Sequence, residues 1–102
     1  MAMVNTRRKG NRAELEAVKE LEKKGYLVYR VKGSVKFNKN VDIFGIADIL
    51  AIKKNETKLV QVKSNIRPDL RPFELFKQKF PQITVEIWIR KDREGFKILS
   101  CG

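Results

Sequence analysis

Three strand residues and one helix residue place polar groups among apolar neighbours in this sequence. In ADILAI the period of two puts Asp48 on one face with Leu50 and Ile52. In KLVQVKS it puts Leu59, Gln61 and Lys63 on one face and Val60 and Val62 on the other. A carboxylate, an amide and an ammonium in such surroundings cost free energy unless they satisfy one another or hold a ligand. One outcome is an Asp48–Lys63 ion pair of structural value at a strand end. The other is a site with oxygen donors and a compact cation side by side. The segment KKNET between the strands reads as a turn, so the two run antiparallel and bring Asp48 beside Gln61 and Lys63 across the ladder.

The helix residue is Glu14. At 100° per residue, Leu15, Ala17, Val18 and Leu21 form one stripe with Glu14 near its middle, while Glu16 and Glu20 lie toward solvent. Glu14 is either the acid of a capping box opened by Asn11 or a carboxylate aimed into a site between helix and sheet. In the second case burial demands a partner for its charge.

Composition narrows the chemistry. The 102 residues are 42% hydrophobic and 34% charged, enough for one small domain with a modest core. Lys and Arg number 23 against 12 Asp and Glu, and the net charge of +11 suits a polyanion such as DNA, RNA or an anionic membrane surface. There is no His, which excludes a Ser-His-Asp triad, a Cys-His dyad and a His-ligated zinc site. One Cys permits neither a disulfide within the chain nor a thiolate zinc cluster, and fits a reducing compartment. No window approaches the roughly 18 apolar residues of a membrane helix. MAMVNTRRKG has no apolar run of signal-peptide length. A soluble, cytoplasmic protein with no membrane partner and no small-molecule cofactor is expected.

These residues need elements to hold them. Residues 1–10 read as a basic, flexible lead-in to a single domain over 1–102. A helix is expected from Asn11 to Lys24, with Gly25 as its C′ residue. YLVYRVK (26–32) reads as a strand and Gly33 to Asn40 as a basic loop. In residues 41–52, Gly45 marks a bend before a strand. KLVQVKS (58–64) is the next strand, and ELFKQKF is a short helix stopped by Pro81. ITVEIWIR (83–90) and FKILS are strands joined by the hairpin turn KDREG. The order α-β-β-β-α-β-β disfavours a doubly wound sheet and favours an α+β domain, a mixed sheet with helices on its faces.

Asp48, twelve intervening residues, then Gln61-Val62-Lys63 resembles the D-x(n)-(D/E/Q)-x-K signature of the PD-(D/E)XK nucleases. RRKGNRAELEAVKELEKKGYLVYRVKGS resembles the opening of the archaeal Holliday-junction resolvases, and ADILAI with QVKS resembles their central hairpin. The likeness is good from residue 7 to about 65 and rests on element order beyond. It implies a restriction-endonuclease-like core and Mg²⁺- or Mn²⁺-dependent cleavage of DNA. It further implies that Asp48 is the central metal ligand, with Gln61 and the Val62 carbonyl beside it. Lys63 would orient the attacking water, and Glu14 would bind metal through water or act as a base. Ser34 would lie near the scissile strand, in the place of a Gly-Ser loop. Gln61 departs from the usual acid, and an amide oxygen adds no charge. Asp42 competes for the central role, but it precedes Gly45 and falls in the bend.

Arg7, Arg8, Lys9 and Arg12 flank Glu14, and Lys32, Lys36 and Lys39 fill the loop after the first strand; both sets suit phosphate contacts with branched or duplex DNA. Phe37 in that loop is a junction wedge or simple packing. Trp88 belongs to the core or a subunit interface, and Phe73, Phe76 and Phe80 at helical spacing suit packing. Resolvase relatives are homodimers, since a four-way junction takes two symmetric cuts. The competing readings are a non-catalytic nucleic-acid-binding module and a nicking or restriction-type nuclease.

Overall fold

The computed structural model describes residues 5–31, 43–44, 46–65 and 67–101. Its elements are α1 (Asn5–Lys23), β1 (Leu27–Arg30), β2 (Ile49–Lys53), β3 (Glu56–Ser64), α2 (Arg71–Lys79), β4 (Thr84–Lys91) and β5 (Gly95–Cys101). The order is the expected one. The start of α1 is not: the helix begins at Asn5, so residues 5–10 are helical rather than a lead-in. A glycine inside a helix costs about 1 kcal/mol, and Gly10 is carried by helix-forming Arg and Lys before it and Ala, Leu and Glu after it. Asn11 is therefore an interior residue, and the capping-box reading of Glu14 falls.

The C-terminus of α1 closes as the sequence suggests. Gly25 takes φ +95, the left-handed region in which a Cβ is strained. Its amide donates to the Glu22 carbonyl (3.0 Å) and that of Tyr26 to Leu21 (3.1 Å), the paired bonds of a Schellman motif.

The five strands form one sheet in the order β1-β2-β3-β4-β5. All neighbours are antiparallel except β3 and β4, which run parallel because α2 carries the chain back between them. On one face Ala13, Ala17 and Leu21 of α1 pack on Ile49, Ala51, Val60, Val62 and Trp88. The small alanines let the helix approach the sheet closely. Leu15, expected on this stripe, is 50% exposed; the helix is rotated so that the Ala13–Ala17–Leu21 row, not Leu15, faces the strands. Trp88 lies in this core, settling the choice the sequence left open. On the opposite face Phe73 and Phe76 of α2 pack with Leu59, Val85, Ile87, Ile89 and Leu99.

A polar network sits under the α1 face near the starts of β3 and β4. The buried Lys58 ammonium lies 3.2 Å from Glu86 and 3.8 Å from Glu56. Tyr26 donates to Glu56 (2.8 Å) and Trp88 donates to Glu86 (3.0 Å). Burial, aided by the Glu56 contact, raises the Tyr26 pKa. Burial alone would lower that of Lys58, but Tyr26 and Glu86 outweigh it and hold the ammonium above its ordinary value.

Candidate active site

β2 begins one residue after a tight reversal. Ile43 and Ala47 bridge each other, with the Ile43 amide donating to Ala47 at 2.7 Å. Phe44 turns the chain in the left-handed region, φ 54. The reversal coincides with the bend expected around Gly45, which itself lies outside the described residues. It delivers Asp48 to the mouth of the β2–β3 hairpin.

There Asp48 is fixed by both neighbouring strands. Its amide donates to the Val60 carbonyl (3.0 Å), and its carbonyl accepts from Val31 (2.9 Å). Its Oδ2 accepts the Val62 amide at 3.1 Å. The carboxylate thus takes a place that a ladder carbonyl would otherwise fill. The register stops at Ile49↔Val60, and since the Asp48 amide also reaches the Val60 carbonyl, Asp48 and Ile49 both oppose Val60 in a β-bulge. Gln61 and Lys63 alternate onto the face away from α1. The strands are antiparallel as expected, but the expectation that Asp48 shares a face with Leu50, Ile52, Gln61 and Lys63 is corrected. Ala47 packs in the core under α2 and Ile49 in the core under α1, so the alternation breaks at Asp48 and leaves it at the strand end on the α1 side. The Val62 carbonyl leaves β3 on the same edge as its amide, toward Asp48. Among the described residues Lys63 forms no ion pair, so the Asp48–Lys63 pair considered as a purely structural feature is absent.

Glu14 stands on the α1 face of the sheet. Its Oε1 accepts from Arg30 Nε at 2.8 Å, and both side chains are largely buried. This is the partner its position demanded. Two residues on, Glu16 accepts from Arg90 at 2.9 Å, so it is engaged with β4 rather than free in solvent. Arg12, Ala13, Glu16, Ser64, Arg90 and Asp92 line a cleft of about 130 Å³ between α1 and the ends of β3 and β4. Arg12 lines this cleft; Arg7, Arg8 and Lys9 lie on the first turns of α1. Ser34, Lys32, Lys36 and Lys39 lie outside the described residues, as do Phe37 and Asp42.

Arg30 and Arg90 are the residues the sequence reading passed over. A signal existed for Arg30: in LVYR it alternates with Val28 onto the face that α1 covers, where Glu14 also points. Arg90 gave less, because its pairing with Glu16 spans 74 positions.

A mixed five-stranded sheet between two helices, with Asp48 facing Gln61-Val62-Lys63 across a hairpin, defines a restriction-endonuclease-like nuclease domain. The model of the archaeal Holliday junction resolvase (Hjc) family matches residues 5–96, and the chain belongs to that family, a branch of the PD-(D/E)XK superfamily. By that membership it is a resolvase-like nuclease. A structure of Archaeoglobus fulgidus Hjc, a Holliday junction resolvase from an archaeal hyperthermophile, superposes with TM-score 0.65 at 20% identity, over 90% of this chain and 72% of that one. This likeness shows the shared fold. No curated protein matches the chain. Among the described residues no helix is long and apolar enough to cross a membrane.

The donor set suits a hard cation. Asp48 offers a carboxylate, Gln61 an amide oxygen and Val62 a carbonyl. Among the described residues no three acidic, His or Cys side chains cluster as a metal cage. Mg²⁺ does not need one, because it keeps several waters and takes one or two carboxylates.

Proposed function

We propose that this chain is a Mg²⁺-dependent endonuclease, with Mn²⁺ able to replace Mg²⁺, that hydrolyses phosphodiester bonds in branched DNA as a homodimer in the cytoplasm. The observation that carries the proposal is the Asp48 carboxylate held on the amide of Val62, the residue between Gln61 and Lys63 on β3.

Asp48, Gln61 and the Val62 carbonyl would hold the metal. Bound there, it polarises the phosphoryl oxygen, lowers the pKa of a water and offsets charge on the leaving oxygen. Asp48 can keep its aim through this because the Val62 amide fixes one of its oxygens. The Lys63 ammonium orients the attacking water and offsets charge gathering on the phosphate. Glu14 is anchored by Arg30, so it acts behind the metal ligands, as a base through water. Arg7, Arg8, Lys9 and Arg12, with Lys32, Lys36 and Lys39, contact backbone phosphates without reading bases. Ser34, in the Gly-Ser pair that resembles a resolvase loop, would serve the scissile strand. The dimer forms on the apolar patch where Phe44 stacks on Phe76 (5.6 Å) and Phe80 lies tilted against Phe76 (5.0 Å), with Leu75 exposed beside them.

The test is incubation of labelled four-way junction, flap and linear duplex with and without Mg²⁺. Junction cleavage only with the metal supports the proposal. Equal binding in chelator and Mg²⁺ with no cut strand makes the protein a binding module instead.

A further inference from the structure

Asp48 sits where the chain crosses from one core to the other. In an unbroken strand, residues 47 and 49 would point the same way. Here Ala47, 1% exposed, packs under α2 with Ile46, and Ile49 packs under α1. The bulge at Asp48 makes that crossing. Without it Asp48 would fall into register opposite Gln61 and turn to the α2 face, because a slip of one residue reverses the facing of a strand side chain. The bond from the Val62 amide to its carboxylate would then be lost. The bulge must be held against that regular pairing.

The reversal that precedes Asp48 supplies the hold. Phe44 stands at φ 54, a region in which a bulky side chain is an outlier. Such a conformation persists only where its surroundings over-determine it. The turn is closed by the Ile43 amide on Ala47 (2.7 Å) and by the Ile46 and Ala47 amides on Ile43 (3.1 and 3.2 Å). The Phe44 side chain is 71% exposed, so its own burial contributes little. Its ring lies on Phe76 of α2, with planes 28° from parallel. Phe76 packs on the same core that takes Ile46 and Ala47. The reversal is thus tied to α2 by a ring at its tip and by two side chains at its exit. We infer that Phe44 is a positioning residue for Asp48: its ring, seated on Phe76, pins the reversal to α2 and keeps the bulge that sets the carboxylate on the Val62 amide. The consequence for cleavage rests on the nuclease reading of Asp48. A glycine separates this role from that of a plain turn residue. Gly adopts positive φ freely, so a plain turn would be kept or tightened by Phe44→Gly, whereas a turn pinned by the ring is loosened.

The test is hydrogen exchange of the Val62 amide in metal-free protein, beside the half-saturating Mg²⁺ for cleavage of a four-way junction, in wild type, Phe44→Gly and Phe44→Trp. Both variants fold, since the side chain is exposed. Phe44→Gly should exchange the Val62 amide about ten-fold faster while the Ile87 amide is unchanged. It should also raise the half-saturating Mg²⁺ about ten-fold at unchanged junction affinity in chelator. Phe44→Trp keeps a ring on Phe76 and should stay within about two-fold of wild type in both. Wild-type exchange and metal requirement in Phe44→Gly overturn the inference. So does a loss of cleavage that comes with dissociation to monomer in gel filtration and leaves Val62 exchange unchanged, which gives the ring to the subunit contact alone. If the wild-type protein does not cut in Mg²⁺, the nuclease reading falls, and Val62 exchange still decides whether Phe44 pins Asp48.

Discussion

Gln61→Glu turns the hairpin into its own metal sensor. Asp48 is bonded to Val60 and Val62, the two neighbours of Gln61, and adjacent to diagonal cross-strand side chains lie about 5–8 Å apart. A second carboxylate at Gln61 would repel the first by about 0.5–0.8 kcal/mol in water and about 2–3 kcal/mol at an effective dielectric constant of 20. Both groups are half-buried, so a cost of about 1–3 kcal/mol is expected without metal. For a domain of this size that lowers Tm by roughly 5–20 °C. A divalent cation between the carboxylates reverses the sign: Mg²⁺ should restore Tm by more than it raises that of wild type, and the half-saturating Mg²⁺ for cleavage should fall. Gln61→Ala should leave Tm in chelator nearly unchanged and raise the metal requirement. The assay is thermal melting of the three proteins in chelator and across a Mg²⁺ titration, beside cleavage rate. Equal melting of Gln61→Glu in chelator and Mg²⁺, with an unaltered metal requirement, would refute a metal at Gln61.

Three further outcomes follow from the same geometry. Lys63→Ala should lower the single-turnover cleavage rate by about 10²-fold or more while junction affinity and Tm change little; a rate within a few-fold of wild type removes Lys63 from the reaction. Gly25→Ala places a Cβ at φ +95 and 3.3 Å from Lys53 Cε, so it should cost about 1–2 kcal/mol, read as a Tm lower by several degrees. Tyr26 and Lys58 both have raised pKa values in the fold, so their contribution is complete below their ordinary values of 10.0 and 10.5 and is lost as pH rises through the folded ones. Tm should fall above about pH 10, and Tyr26→Phe should make the fall shallower; a slope unchanged in that variant places the alkaline loss elsewhere.

Local chemistry made much of this molecule legible. The period of two in KLVQVKS placed Gln61 and Lys63 on one face and Val60 and Val62 on the other, because alternation is a property of a single strand; in ADILAI the bulge at Asp48 breaks that alternation, which no local pattern announces. Gly25 declared the end of α1 for an equally local reason. The helix start was misread because Gly10 looks like a breaker, yet one glycine does not outweigh propagation on both sides. Leu15 was misassigned because a 100° projection cannot tell which edge of an apolar stripe the sheet takes; Ala13 and Ala17 win because small side chains permit close approach. The parallel β3–β4 pair, and the Arg30–Glu14 and Arg90–Glu16 ion pairs, join segments by tertiary packing, and no local pattern encodes such partners.

The central claim is that Asp48 is the carboxylate on which cleavage depends, and the carboxamide at that position tests it most directly. Asp48→Asn keeps an oxygen that can accept the Val62 amide now held at 3.1 Å, so fold and junction binding should survive. Its single-turnover rate on a four-way junction in Mg²⁺ should fall by about 10²-fold or more, whereas Asp42→Asn should cut at close to the wild-type rate. Asp48→Asn cutting at the wild-type rate, with Asp42→Asn inactive, would contradict the account and move the site to the other carboxylate.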